Sequence, residues 1–305
     1  MSGHVVALLG GTASGKTAAA IEVARRMPVE IVSADSRQLR REMRIGTAAP
    51  SDEELAAVPH HLVGVIAPDA PWTLANFLER ALGAFEEIQV RGNMPLLVGG
   101  TGQYVWALLE GWEVPGVPPD PALRAGLAAE VAEHGLEALH ARLARLDPAS
   151  ADRIDARNER RVVRAIEIIE ATGAPVAPLV RREPPFSWRT VGIARPRDVL
   201  HERADARAEH MYRDGLVDET RALVGRYGRE FEALRSIGYA DALRLLDGEL
   251  DEAAALEHTR TETHRLIRMQ ATWFRSDDER IEWRDGADGQ ALADAVVAAA
   301  GAPVR

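Results

Sequence analysis

Short apolar runs, each closing on small or polar residues, set the frame of this chain. Val5-Val6-Ala7-Leu8-Leu9 ends in two glycines and predicts a buried parallel strand, since a strand covered on both faces shows no alternation. A helix is expected from Lys16 to Met27, stopped by Pro28. Val29 to Ala34 predicts a second strand, which delivers Asp35 at its carboxyl end. Pro95-Leu96-Leu97-Val98 predicts a third, breaking at Gly99-Gly100-Thr101-Gly102, and Thr190 to Ala194 a strand that returns to the sheet. Strands alternating with helices imply an α/β fold, a doubly wound parallel sheet core flanked by helices, with ligands gathering at the strands' carboxyl ends.

The pattern changes after Glu113 to Asp120, a segment rich in proline and glycine. From Pro121 to Thr172 the apolar positions recur at helical spacing: Leu123, Leu127 and Val131 early, Val162, Ile166 and Ile169 late. A proline-rich stretch from Gly173 to Pro185 follows. These shifts predict a helical insertion over residues 117–185 in a core made of residues 1–116 and 186–305. The remainder is mainly helical with an alanine-rich tail, and no internal repeat is apparent.

Composition narrows the class. At 46% apolar the 305 residues can bury a sizeable core, yet no window approaches the roughly 18 uninterrupted apolar residues of a membrane span. Absence of cysteine excludes disulfides, thiol catalysis and a Cys-ligated zinc site. No basic segment precedes the first strand, so no signal peptide is expected. A cytoplasmic enzyme follows, with no membrane contact and no obligatory protein partner evident. The net charge of −10 argues mildly against nucleic acid, although a basic face can coexist with an acidic remainder.

Of the 37 lysines and arginines only Lys16 is a lysine. It lies in Gly10-Gly11-Thr12-Ala13-Ser14-Gly15-Lys16-Thr17, which fits G-x-x-x-x-G-K-[ST]. The glycines let backbone N–H groups converge on phosphate oxygens, and the helix that follows adds its dipole. A compact ammonium on a flexible stem suits such a loop better than a planar guanidinium. Lys16 would neutralise phosphate oxygens, and Thr17 would hold Mg²⁺. A nucleotide hydrolase also needs an acid at the end of a hydrophobic strand. Leu96-Leu97-Val98 ends instead in Gly-Gly-Thr-Gly, and Asp35 is the well-placed acid. It could bind Mg²⁺ through water, accept a proton from a nucleophile, or simply cap a helix.

Further blocks make a resemblance specific. Asp35-Ser36-Arg37-Gln38 with Ile45-Gly46-Thr47-Ala48 resembles the signature of bacterial tRNA dimethylallyltransferases, the IPP transferase family. So do Pro59-His60-His61-Leu62, Gly99 to Tyr104, Arg161 to Glu167, Ile237-Gly238-Tyr239 and Gln270 to Phe274, in the family's order up to about Trp283. The resemblance implies transfer of a dimethylallyl group from dimethylallyl diphosphate to N6 of an adenosine beside the anticodon. The P-loop residues Gly10, Gly11, Thr12, Ala13, Ser14, Gly15, Lys16 and Thr17 would then hold a leaving diphosphate with Mg²⁺, joined by Arg207. Asp35 would be general base, with Thr101 orienting it or the adenine and Lys16 stabilising the leaving group.

The anticodon stem-loop would meet Asp35, Ser36, Arg37, Gln38 and Thr101 near the reacting base. Arg160, Arg161 and Arg164 of the insertion, Arg235, Gly238 and Tyr239, and then Arg268, Gln270 and Trp273 complete the implied RNA contacts. The basic clusters around Arg37–Arg44, Arg157–Arg164 and Arg260–Arg275 suit phosphates and unpaired bases. The adjacent His60 and His61 point apart on regular structure, which favours a structural role over a metal pair. Departures from the family pattern are Arg40 for a usual tyrosine, Ala49 for a lysine, and His264 and Met269 each for an arginine. They bear on tRNA affinity. The competing readings are a P-loop small-molecule or nucleoside kinase, a prenyltransferase acting on free adenylate, and a non-catalytic tRNA-binding module.

Overall fold

The computed structural model describes residues 3–301. Six strands form one sheet: β1 (Gly3–Leu9), β2 (Val29–Ala34), β3 (His60–His61), β4 (Met94–Gly99), β5 (Phe186–Ala194) and β6 (Ile281–Asp285). Every pairing is parallel, in the order β3-β2-β4-β1-β5-β6. The register fixes the site. Leu9 pairs with Gly99 and Gly192, and Gly99 also with Ala34, so the strands beneath the P-loop, Asp35 and Thr101 end in one row. Gly99 is required there, because a Cβ would lie 2.3 Å from Ala34 O.

Helices cover both faces, as the unbroken apolar strands require. They are α1 (Lys16–Ala24), α2 (Asp52–Ala57), α3 (Leu74–Val90) and α4 (Gly102–Leu109), and after the insertion's α5 (Pro121–His134), α6 (Leu136–Leu146), α7 (Pro148–Arg153) and α8 (Glu159–Thr172) come α9 (Arg197–Arg213), α10 (Leu216–Tyr227), α11 (Tyr239–Leu246), α12 (Glu252–Trp273) and α13 (Gly289–Gly301). Ala19, Ala20 and Val23 of α1 and Leu292, Ala293 and Val296 of α13 pack on Val6, Leu8, Ile31, Leu96 and Val191. These small side chains let two helices lie close to one face. Helix α1 stops at Ala24, short of the expected Met27, because a turn ending in Met27 N to Val23 O comes before Pro28.

His60 and His61 form a strand too short to predict from hydropathy. Each does structural work: His60 Nδ1 lies 2.8 Å from Val58 O, and His61 Nε2 lies 2.7 Å from the buried Glu30. Residues 112–182 form a separate compact unit around Leu127, Leu139, Leu143, Val162 and Ile166. Its limits fall earlier than the predicted 117–185, because the two flanking segments pair with each other. Glu113 N donates to Val180 O at 2.9 Å, beside a bridge between Trp112 and Arg181. Among the described residues no helix is long and apolar enough to cross a membrane.

Candidate active site

The loop between β1 and α1 takes its shape from two residues with positive φ, Ala13 at +63° and Gly15 at +99°. Gly15 offers no side-chain cap, so the first N–H groups of α1 remain available to an anion. Lys16 Nζ turns back on its own loop, donating to Gly10 O at 3.0 Å and Gly11 O at 2.8 Å. Burial pushes its pKa down to about 8, partly offset by the charge of Asp35 and reinforced by Arg207. Ser14 Oγ is buried in the loop without a hydrogen-bond partner.

Three arginines grip the outside of this loop. Arg195 Nε donates to Ser14 O at 2.9 Å, Arg203 Nε to Ala13 O at 2.8 Å, and Arg207 Nη2 to Thr12 Oγ1 at 2.5 Å. Arg203 and Arg207 stand one helical turn apart on α9, a spacing the sequence displays. Arg195 and Arg203 carried no motif that would single them out. Burial lowers the pKa of Arg207, and Arg37 and Arg203 lower it further while Asp35 opposes them. Lys16, Arg37 and Arg207 thus all feel one carboxylate, Asp35. Three cations against one anion leave an excess of positive charge that suits a polyanion.

Asp35 ends β2 and caps a turn, not a helix: Oδ1 accepts from Arg37 N at 2.9 Å and Gln38 N at 3.4 Å. Neither bond uses Oδ2. Thr101, at the N-cap of α4, gives its hydroxyl to the neighbouring loop instead of to its own helix, accepting from Ser36 N at 3.0 Å. Thr101 N also donates to Ala34 O at 3.2 Å, so β2 and β4 deliver the pair together.

Several residues expected to touch RNA are committed to the protein. Tyr239 is wholly buried, and its side chain serves the core. Gly238 next to it, also buried, adopts a φ of +85° at the start of α11. Gln38 Nε2 donates to Ala48 O at 2.9 Å. Gln270 takes its oxygen to Thr12 N at 2.7 Å and its nitrogen to Gly100 O at 2.9 Å, clamping the P-loop to the β4 loop. Trp273 packs over Gly102, where a Cβ would lie 2.3 Å from its own Cβ. Arg164 is paired with the buried Glu167 and donates to Val117 O at 2.8 Å. Arg160 and Arg161 of α8 are exposed, as are Arg235 and Arg268. Elsewhere in the basic clusters, Arg157, Arg260 and Arg275 pair with Asp155, Glu209 and Asp277. Arg40, where the family resemblance leads one to expect a tyrosine, serves structure, its Nη1 donating to Pro68 O at 2.6 Å and Ala70 O at 2.9 Å.

A cavity of about 630 Å³ lies on the β5–β6 side of Gly11 and Gln270, lined by Ile193, Ile267, Phe274 and Trp283. Asp35 and Thr101 lie across the P-loop, on the β2–β4 side. Among the described residues no cluster of three or more histidines, aspartates or glutamates is arranged to hold a metal. The donors beside the loop are the Thr17 hydroxyl and Asp35. They suit a cation held mainly by phosphate oxygens.

These features define a P-loop fold whose anion cradle faces the Asp35 carboxylate at the end of β2, while β4, between β2 and β1, runs out in Gly-Gly-Thr-Gly with no acid. The chain belongs to the IPP transferase family, whose sequence pattern matches residues 38–277, while an isopentenyl transferase pattern matches residues 3–61. A tRNA dimethylallyltransferase of Chloroflexus aurantiacus is 50% identical over 89% of this chain and 93% of its own length. One from Thermomicrobium roseum is 43% identical over 92% of this chain and 86% of its own length. The crystal structure of the tRNA isopentenylpyrophosphate transferase of Bacillus halodurans superposes with a TM-score of 0.71 at 34% identity, covering 97% of this chain and 96% of that one.

Proposed function

We propose that this protein transfers the dimethylallyl group of dimethylallyl diphosphate to the exocyclic N6 of an adenosine beside the anticodon of tRNA, giving N6-isopentenyladenosine. The observation that carries this reading is the crowding of Lys16, Arg37 and Arg207 about the Asp35 carboxylate beside the P-loop. The names of relatives covering about nine-tenths of the chain support it.

The P-loop amides, Lys16 and Arg207 hold the diphosphate, and Asp35 and Thr101 stand at the neighbouring strand ends where the base enters. Adenine N6 attacks C1 of the prenyl chain, the C1–O bond breaks, and its electron pair leaves with the diphosphate. The N6 proton passes to the Asp35 carboxylate. The lone pair on N6 is delocalised into the ring, so removing this proton is the assistance the nucleophile needs. Thr101 holds the Ser36 backbone and orients the acid. Thr17, and Asp35 through water, would hold a Mg²⁺ ion, which would supply positive charge against the leaving diphosphate. The target base has to leave its stack to reach the acid. Exposed Arg160, Arg161, Arg235 and Arg268 supply phosphate contacts on the anticodon stem-loop. A tRNA substrate supports a cytoplasmic setting for the reaction.

The test is incubation with dimethylallyl diphosphate, Mg²⁺ and unmodified tRNA, followed by nucleoside mass spectrometry. Prenylated adenosine in the tRNA digest is expected. ATP turnover without it would favour a kinase, and prenylation of AMP but not tRNA would favour a free-adenylate enzyme.

A further inference from the structure

The Asp35 turn is held from behind by a helix that carries none of the reacting groups. Glu219, in the first turn of α10, accepts from three consecutive main-chain amides: Arg44 N at 3.0 Å, Ile45 N at 3.1 Å and Gly46 N at 3.4 Å. The buried Tyr239 hydroxyl donates to the same carboxylate. Gly46 lies so close under the Tyr239 ring that a Cβ would come within 2.4 Å of Cε2. The next residues pass the constraint on. Thr47 O and Ala48 O accept from Gln38 Nε2 at 3.5 and 2.9 Å, and Gln38 N and Arg37 N close the turn on Asp35 Oδ1. Ala48 sits at a φ of +48°, a conformation that persists where the surroundings fix it.

We propose that Glu219 is a positioning residue for the transfer, fixing the orientation of the Asp35 carboxylate through the Arg44–Ala48 loop and Gln38. It touches neither substrate, and the inference rests on the reading of Asp35 as the base. Only a carboxylate can serve this node. Two oxygens meet four donors, whereas a glutamine would turn an NH₂ towards a backbone N–H.

The experiment compares Glu219→Gln, Asp35→Ala and the double variant in the full chain. Hydrogen exchange on the unliganded protein should show faster exchange at residues 44–46 and 35–38 in Glu219→Gln. Unchanged protection there overturns the inference whether or not the protein transfers a prenyl group. In kinetics with saturating tRNA, kcat should fall about 10- to 100-fold with KM for dimethylallyl diphosphate almost unmoved. Added to Asp35→Ala, the substitution should cost almost nothing more, because both act through one carboxylate. A full multiplicative loss, or a raised KM at unchanged kcat, overturns the inference. If Glu219→Gln does not fold, Tyr239→Phe removes one donor of the same node and should lower kcat in the same direction; unchanged kcat there counts against it. Intact exchange coupling in a wild-type protein that prenylates no tRNA would overturn the functional reading and with it the catalytic part of this proposal, leaving the loop anchor standing.

Discussion

Burial holds the Lys16 ammonium at a pKa of about 8 in the unliganded protein, and that value sets a pH limit on donor capture. A diphosphate in the loop would surround the ammonium with anions and raise its pKa, so the protonated form binds the donor better. The sign follows. Affinity is complete below a pH of about 8 and declines as pH rises through it, until the higher pKa of the complex is reached. At pH 7 about 91% of the free enzyme carries the charge and at pH 9 about 9%, so kcat/KM for dimethylallyl diphosphate should fall about tenfold between them. The donor's own phosphate ionisation, near pH 6, lies well below this limb. The assay is initial-rate prenylation at saturating tRNA from pH 6.5 to 9.5. It should show a descending limb near 8 in kcat/KM and not in kcat, because saturating donor keeps the lysine charged. Lys16→Met should be uniformly slower and flat across the same range. A wild-type profile that is flat from pH 7 to 9, or the same limb in Lys16→Met, would refute the reasoning.

Three other consequences can be measured. Hydrogen bonding from Arg91, with Asn93 and His61, holds the Glu30 carboxyl down at about 2 against its own burial. Its contribution to stability is therefore present above a pH of about 4.5 and lost as pH falls towards 2. Glu30→Gln should unfold more readily at neutral pH by about 2 kcal/mol in urea, with a shallower acid limb. Gln270→Ala, which frees Thr12 N and Gly100 O, should raise KM for the donor about tenfold, the equivalent of 1.4 kcal/mol, with little change in thermal midpoint. Gly99→Ala, which drives a Cβ into Ala34 O, should cost about 3 kcal/mol in thermal unfolding, and an unchanged midpoint would mean the strands can part without penalty.

The central strands were legible because burial on both faces writes an unbroken apolar run, and the P-loop because its chemistry demands particular residues in sequence. Asp35 was legible from its place after such a run. His60–His61 and Ile281–Asp285 were not, since two residues carry no period and the latter alternates with charge. The roles of Glu219, Gln38 and Gln270 lie in contacts between residues far apart in the chain, which spacing cannot display. Tyr239 shows the same limit from the other side. The family resemblance implies an RNA contact at Tyr239, yet packing against the Ile45-Gly46 loop buries it completely. Arginine was the least legible residue, because its abundance hid Arg195 and Arg203, which grip the P-loop, among those that pair with nearby carboxylates.

The central claim is that Asp35 takes the N6 proton while the cationic loop holds the departing diphosphate. Single-turnover prenylation by Asp35→Ala, alongside filter binding of the same tRNA, tests it most directly. The account predicts a rate constant lower by about 10²- to 10⁴-fold with tRNA affinity retained. Transfer at the wild-type rate would contradict it.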